Sequence, residues 1–184
     1  MKSRQEIRLS GSGGQGLILG GIILAEAAIL DKKNAVQSQS YGPEARGGAS
    51  KSEVIISSEE IDYPKVEKAD VLLALTQVAY DKYINTLKDN GILIIDTSIK
   101  HTSNTSYKVV QVPILSTASD KIGKLMVANI VAVGLIQQLT DVVTKDCLEA
   151  AVLNRVPKGT EKLNKQALIE GYNLASRSFL EVVG

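Results

Sequence analysis

The sequence predicts an α/β fold: a three-layer α/β/α sandwich around a Rossmann-like sheet that is largely parallel and open to a mixed arrangement. Two observations carry this expectation. Short apolar runs at residues 71–75 and 92–96 are separated by helical stretches, as strands covered on both faces require. A glycine-rich turn, Gly11-Ser-Gly-Gly-Gln-Gly16, joins a short alternating stretch to a long apolar segment, which reads as strand, tight turn, helix. The 184 residues suffice for one core and contain no obvious linker, so residues 1–184 are expected to form a single domain.

Residues 6–10 alternate as a first strand, and 17–30, rich in Leu, Ile and Ala, has helical length. A second strand is expected at 34–39 and a third, half-buried one at 49–57. After the run at 71–75, Thr76 is placed to cap a helix over 77–87 that ends before Gly91. Residues 92–96 and 108–113 complete the strands. Ile122, Leu125, Met126, Asn129, Ile130, Val133 and Ile136 fall on one helical face, read as mostly core. Two further helices, over 144–154 and 160–183, are separated by Pro157 and Gly159.

Composition narrows the function. Net charge is +1 and the basic residues are scattered, which gives no electrostatic case for nucleic acid. Aromatics are only 4%, without tryptophan, so base-stacking platforms are also lacking. Cys147 is the single cysteine, so the chain by itself cannot supply the four thiolates that an iron–sulfur cluster typically takes. No long apolar segment precedes Gly11, and 17–30 contains Glu26 and is too short to span a bilayer. The expectation is a cytoplasmic chain with no membrane partner.

Gly11, Gly13 and Gly16 satisfy the dinucleotide pattern G-x-G-x-x-G directly after a strand and before a helix. Backbone amides at a helix N-terminus attract an anion, and absent side chains let a phosphate approach. That pattern also calls for an acidic residue about twenty positions later to hold a ribose. Here the region reads Gln37-Ser-Gln-Ser40, which counts against ordinary NAD binding. A phosphate-binding P-loop fails as well, because Leu17 and Ile18 stand where its lysine and hydroxyl belong. The bland alternative is that the glycines only permit close strand–helix packing.

A second loop, Tyr41-Gly-Pro-Glu-Ala-Arg-Gly-Gly48, lies between two expected strands. Alone it could be a solvated turn with a weak Glu44–Arg46 pair, but Gly47 and Gly48 argue for close approach to the backbone. His101, the only histidine, sits in a polar stretch and suits an exposed loop. Cys147 is read as a buried small hydrophobe, and no metal-ligand spacing is present. Asn129 interrupts an apolar face, and a buried amide there needs a partner such as a neighbouring loop. No catalytic residue is assigned to this chain.

The two loops in this order, followed by Met126-Val-Ala-Asn129, resemble the gamma subunits of the 2-oxoacid:ferredoxin oxidoreductases across nearly the whole chain. The stretch from Ser40 to Gly48 is most like the 2-oxoglutarate members, then the branched-chain ones, then pyruvate. The resemblance implies a complex that oxidatively decarboxylates a 2-oxoacid, forms its acyl-coenzyme A and reduces ferredoxin. It further implies alpha and beta subunits, in some members with a small ferredoxin-like subunit, that hold thiamine diphosphate, magnesium and iron–sulfur clusters. This chain would then hold no cofactor alone. Gly11, Gly13, Gly14, Gln15, Gly16, Tyr41, Gly42, Glu44, Arg46, Gly47, Gly48 and Asn129 would face coenzyme A or the partner subunits. Two other readings stay open: a purely structural assembly subunit, and a freestanding NAD-binding Rossmann protein.

Overall fold

The computed structural model describes residues 4–40, 49–102 and 106–181, the last three of these by backbone only. Six strands form one mixed sheet in the order β2-β3-β1-β4-β5-β6. They are β1 (Arg4–Gly11), β2 (Asn34–Ser40), β3 (Ser50–Ser57), β4 (Ala69–Ala74), β5 (Leu87–Asp96) and β6 (Lys108–Val112). β1, β4, β5 and β6 run parallel, while β3 lies antiparallel between β1 and β2. The sheet is therefore mixed, within the expected α/β class.

Helix α1 (Leu17–Leu30) follows the glycine turn with the bounds read from its apolar run. Its sequence is apolar nearly all round because it lies between the sheet and other helices: it packs on β1, β2 and β3 below and on α4 (Ala128–Thr140) and α5 (Lys145–Arg155) beside it. Gly21 has no room for a Cβ, which would meet Ser52 Oγ of β3. That close approach seats α1 on the sheet.

α4 and α6 (Glu161–Glu181) cross on the same side. A Cβ on Gly134 would lie 2.6 Å from the Leu168 carbonyl oxygen, and one on Gly171 would meet the Val131 carbonyl oxygen and the Leu135 nitrogen. Backbone thus touches backbone at the crossing. The main core, with Ile7, Leu9, Leu73 and Ile94 among its sheet residues, sits beneath these helices.

The opposite face has a smaller apolar cluster, including Leu72, Leu93, Ile95 and Tyr80, beneath α2 (Gln77–Tyr83). Thr76 caps α2, its hydroxyl accepting from Ala79 N at 3.3 Å. This helix is shorter than the expected 77–87: Ile84–Thr86 tightens into a 3-10 turn and β5 has begun by Leu87. Arg8, only 3% exposed, also lies on this face. It bonds Glu53 at 2.7 Å and the Val66 carbonyl at 2.7 Å, and also reaches Thr86 Oγ1.

The continuous helix face read from Ile122 to Ile136 is corrected. Gly123 at φ +83° and an extended Lys124 break the chain, after a short α3 (Ile114–Ser116) and a wide turn over Thr117–Lys121. α4 begins only at Ala128, so Leu125 and Met126 are not core but 54% and 79% exposed. Cys147 likewise departs from the buried reading, being half-buried with Sγ 3.7 Å from Asp31 Oδ1.

Candidate functional site

The carboxyl ends of the parallel strands gather the turns that carry chemistry at one edge. Gly11 ends β1, Thr76 follows β4, and Asp96 ends β5. Buried Asp96 accepts from Ser98 N at 3.0 Å and Leu115 N at 2.8 Å, tying the loop after β5 to α3. Sequence reading treated Asp96 only as a strand end, because its second partner comes from beyond β6.

The first glycine turn is shaped by three contacts. Gln15 folds back so that its Oε1 accepts from Ser12 N at 2.8 Å, filling the space beside Gly11 where a Cβ would stand. Ser50 Oγ donates to the Gly11 carbonyl at 3.3 Å. Gly16, left-handed at φ +70°, is the N-cap of α1 and contributes no side-chain cap. Its carbonyl accepts from Gly20 N at 3.0 Å and from Asn129 Nδ2 at 3.1 Å.

Gly13 and Gly14 behave differently. Both are exposed, and a Cβ on either would meet nothing within 4 Å among the described residues. Their backbone faces open space beside the N-terminus of α1, whose positive dipole end favours an anion. The arrangement can accept a phosphate or carboxylate on backbone amides.

Asn129 is 3% exposed and stands at the start of α4, where its Oδ1 also accepts from Ile130 N at 2.9 Å. It lines a pocket of ≈ 140 Å³ with Leu19, Lys124, Met126, Pro157 and Leu163. Lys124 and Met126 were missed as site neighbours. The break at Gly123 sets them in this pocket beside Asn129, and helical periodicity does not register such a break.

Tyr41, Gly42, Glu44, Arg46, Gly47 and Gly48 lie outside the described residues. Their flanks do not: Ser40 pairs with Lys51, and Ser50 pairs with Gly11. Ser50 therefore sits beside the last residue of β1, and Ser40 lies one strand farther out. His101 is part-exposed in a loop, with Nδ1 3.0 Å from the Thr102 carbonyl oxygen. Among the described residues no group of three or more His, Cys, Asp or Glu is arranged to hold a metal ion. No described helix is long and apolar enough to cross a membrane.

Residues 6–174 match the family model for pyruvate ferredoxin/flavodoxin oxidoreductase. The chain belongs to this family. Within it, the 2-oxoglutarate synthase subunit KorC of Methanocaldococcus jannaschii is 52% identical, the match covering 95% of this chain and 96% of that one. The solved gamma subunit of the keto/oxoacid ferredoxin oxidoreductase from Geobacter sulfurreducens is 51% identical with a TM-score of 0.85, covering 94% of this chain and 99% of that one. These relatives place the family member among gamma subunits, most like the 2-oxoglutarate ones.

The same fold recurs inside a longer chain. The 2-oxoglutarate:ferredoxin oxidoreductase of Magnetococcus marinus, solved with 2-oxoglutarate, coenzyme A and succinyl-CoA bound, matches 96% of this chain and 32% of its own at a TM-score of 0.87. At 21% identity that likeness is one of fold.

Proposed function

We propose that this chain is the gamma subunit of a cytoplasmic 2-oxoglutarate:ferredoxin oxidoreductase, which forms succinyl-CoA and carbon dioxide from 2-oxoglutarate and coenzyme A while reducing ferredoxin. The observation that carries the substrate assignment is the 52% identity to a 2-oxoglutarate synthase subunit over 95% of this chain. In this reading alpha and beta subunits, with or without a small ferredoxin-like subunit, hold thiamine diphosphate, magnesium and iron–sulfur clusters, which supply decarboxylation and electron transfer. This chain works as one domain and contributes binding and orientation.

The carboxyl edge suits that contribution. The unobstructed backbone at Gly13 and Gly14 and the N-terminus of α1 would hold a phosphate of coenzyme A. Arg46 would pair with a second phosphate or a carboxylate through its planar guanidinium. Gly11, Gln15, Gly16 and Asn129 would keep the first turn in shape, and Tyr41, Gly42, Glu44, Gly47 and Gly48 would form the second.

Leu125 and Met126 favour an assembly role for part of the same edge, since large apolar side chains beside a pocket suit burial against another subunit. The two roles are compatible. Reconstitution with candidate alpha and beta subunits, followed by ferredoxin reduction with 2-oxoglutarate, branched-chain oxoacids and pyruvate in turn, tests the substrate. Faster turnover with pyruvate than with 2-oxoglutarate would overturn the assignment.

A further inference from the structure

The exit of the first glycine turn is held by a side chain 113 positions away in sequence. Gly16 caps α1 without a side chain of its own, and its carbonyl already accepts the first helical bond from Gly20. The same carbonyl also accepts a side-chain hydrogen bond from Asn129 Nδ2. The Asn129 amide is engaged at both ends: Nδ2 donates to Gly16, and Oδ1 accepts from Ile130 N.

Close packing reinforces the bond. A Cβ on Gly16 would fall 2.7 Å from Asn129 Nδ2 and 3.0 Å from Cγ, so the amide rests directly against the glycine. The entrance of the turn is held separately, by Gln15 on Ser12 and by Ser50 on Gly11. Gly13 and Gly14, between entrance and exit, have no side-chain neighbour within Cβ reach among the described residues.

We propose that Asn129 is a positioning residue for coenzyme A: it clamps Gly16 so that the free backbone of Gly13 and Gly14 and the first amides of α1 converge on one anion. It touches no reacting atom and acts through the turn. An unclamped turn would have to be ordered by the ligand itself, which weakens binding without changing the chemistry. The inference rests on the turn facing coenzyme A, as proposed above.

The test uses the reconstituted complex carrying Asn129→Ala or Asn129→Asp. Asp has the shape of Asn but presents a carboxylate oxygen to the Gly16 carbonyl in place of the donor, so it removes the bond without leaving a void. Both should raise the Kd and KM for coenzyme A by about tenfold, with kcat held within about twofold. Amide hydrogen exchange across residues 12–19 should accelerate in both, which reads the clamp independently of activity. Unchanged exchange and unchanged affinity in assembled Asn129→Asp complexes would overturn the role. Gly13→Val separates the two claims, since it blocks the open face directly. If Gly13→Val leaves coenzyme A affinity unchanged, the turn is not the ligand face. If Gly13→Val weakens binding and the Asn129 variants do not, only the positioning role fails.

Discussion

Asn129 donates to the Gly16 carbonyl at 3.1 Å and occupies the space that a side chain on Gly16 would need. Backbone conformation and tertiary packing thus impose the same requirement on one residue. Gly16→Ala should cost about 1–3 kcal/mol, combining a left-handed alanine with displacement of the amide. Gly13→Ala, in open space, should stay within about 0.5 kcal/mol. Chemical denaturation of both variants checks the contrast, and equal losses would refute it.

The α4–α6 crossing should be intolerant of volume. Gly134→Ala and Gly171→Ala each push a methyl group into facing backbone, which cannot rotate away, and each should cost about 1–3 kcal/mol. Once one substitution has parted the helices, the second meets less resistance. The double variant should therefore lose less than the sum of the single losses, as a double-mutant cycle would show.

Arg8 and Glu53 form a buried pair on the thinner face of the sheet, with Arg8 also tying down Val66 and Thr86. Arg8→Met leaves the Glu53 charge with Lys51 as its other cation and should destabilise by about 3–5 kcal/mol. Arg8→Met with Glu53→Leu removes the stranded charge and should recover much of that loss. Denaturant midpoints decide the matter.

Met126, 79% exposed at the rim of the pocket, should matter to assembly rather than to folding. Met126→Glu should leave the stability of the free chain within about 0.5 kcal/mol. Co-purification with the alpha and beta subunits should fall sharply, because a carboxylate buried at the contact would be unpaired. Retained stoichiometric assembly would place the contact elsewhere.

Among the described residues, the buried Tyr172 hydroxyl has no hydrogen-bond partner. Burial first, then the charges of Glu149 and Asp146, push its phenol up to about 12. Because the folded value lies above the ordinary 10, the associated stability is present below pH 10 and is lost as pH rises toward 12. Spectrophotometric titration should show a late-ionising tyrosine component that is lost in Tyr172→Phe. That variant should be neutral or more stable by about 1 kcal/mol near pH 7, since it removes an unsatisfied polar group.

Much of the fold was legible because its signals are local. The apolar run and the glycine before it defined α1 at Leu17–Leu30, and Thr76 and Thr144 act as caps for α2 and α5. The break at Gly123 was not legible, because a left-handed glycine and an extended lysine leave the apolar spacing of 122–136 intact. The early start of β5 was hidden for a similar reason: polar residues 88–90 lie where the register with β4 shifts between Ala69 and Val71, and Asn90 is left-handed at φ +62°, so no alternation marks them.

By itself the sequence determined the α/β class, the family resemblance and the two glycine loops, since each depends on residue types a few positions apart. Only the tertiary structure decided that β3 lies antiparallel beside β1, which sets Ser50 against Gly11 and Lys51 between Ser10 and Ser40. It also decided that Asn129 bonds Gly16, that Arg8 meets Glu53 and that α4 and α6 touch through glycines. Those contacts join segments distant along the chain. Their partners are selected by packing and strand register, which no local pattern of residues encodes.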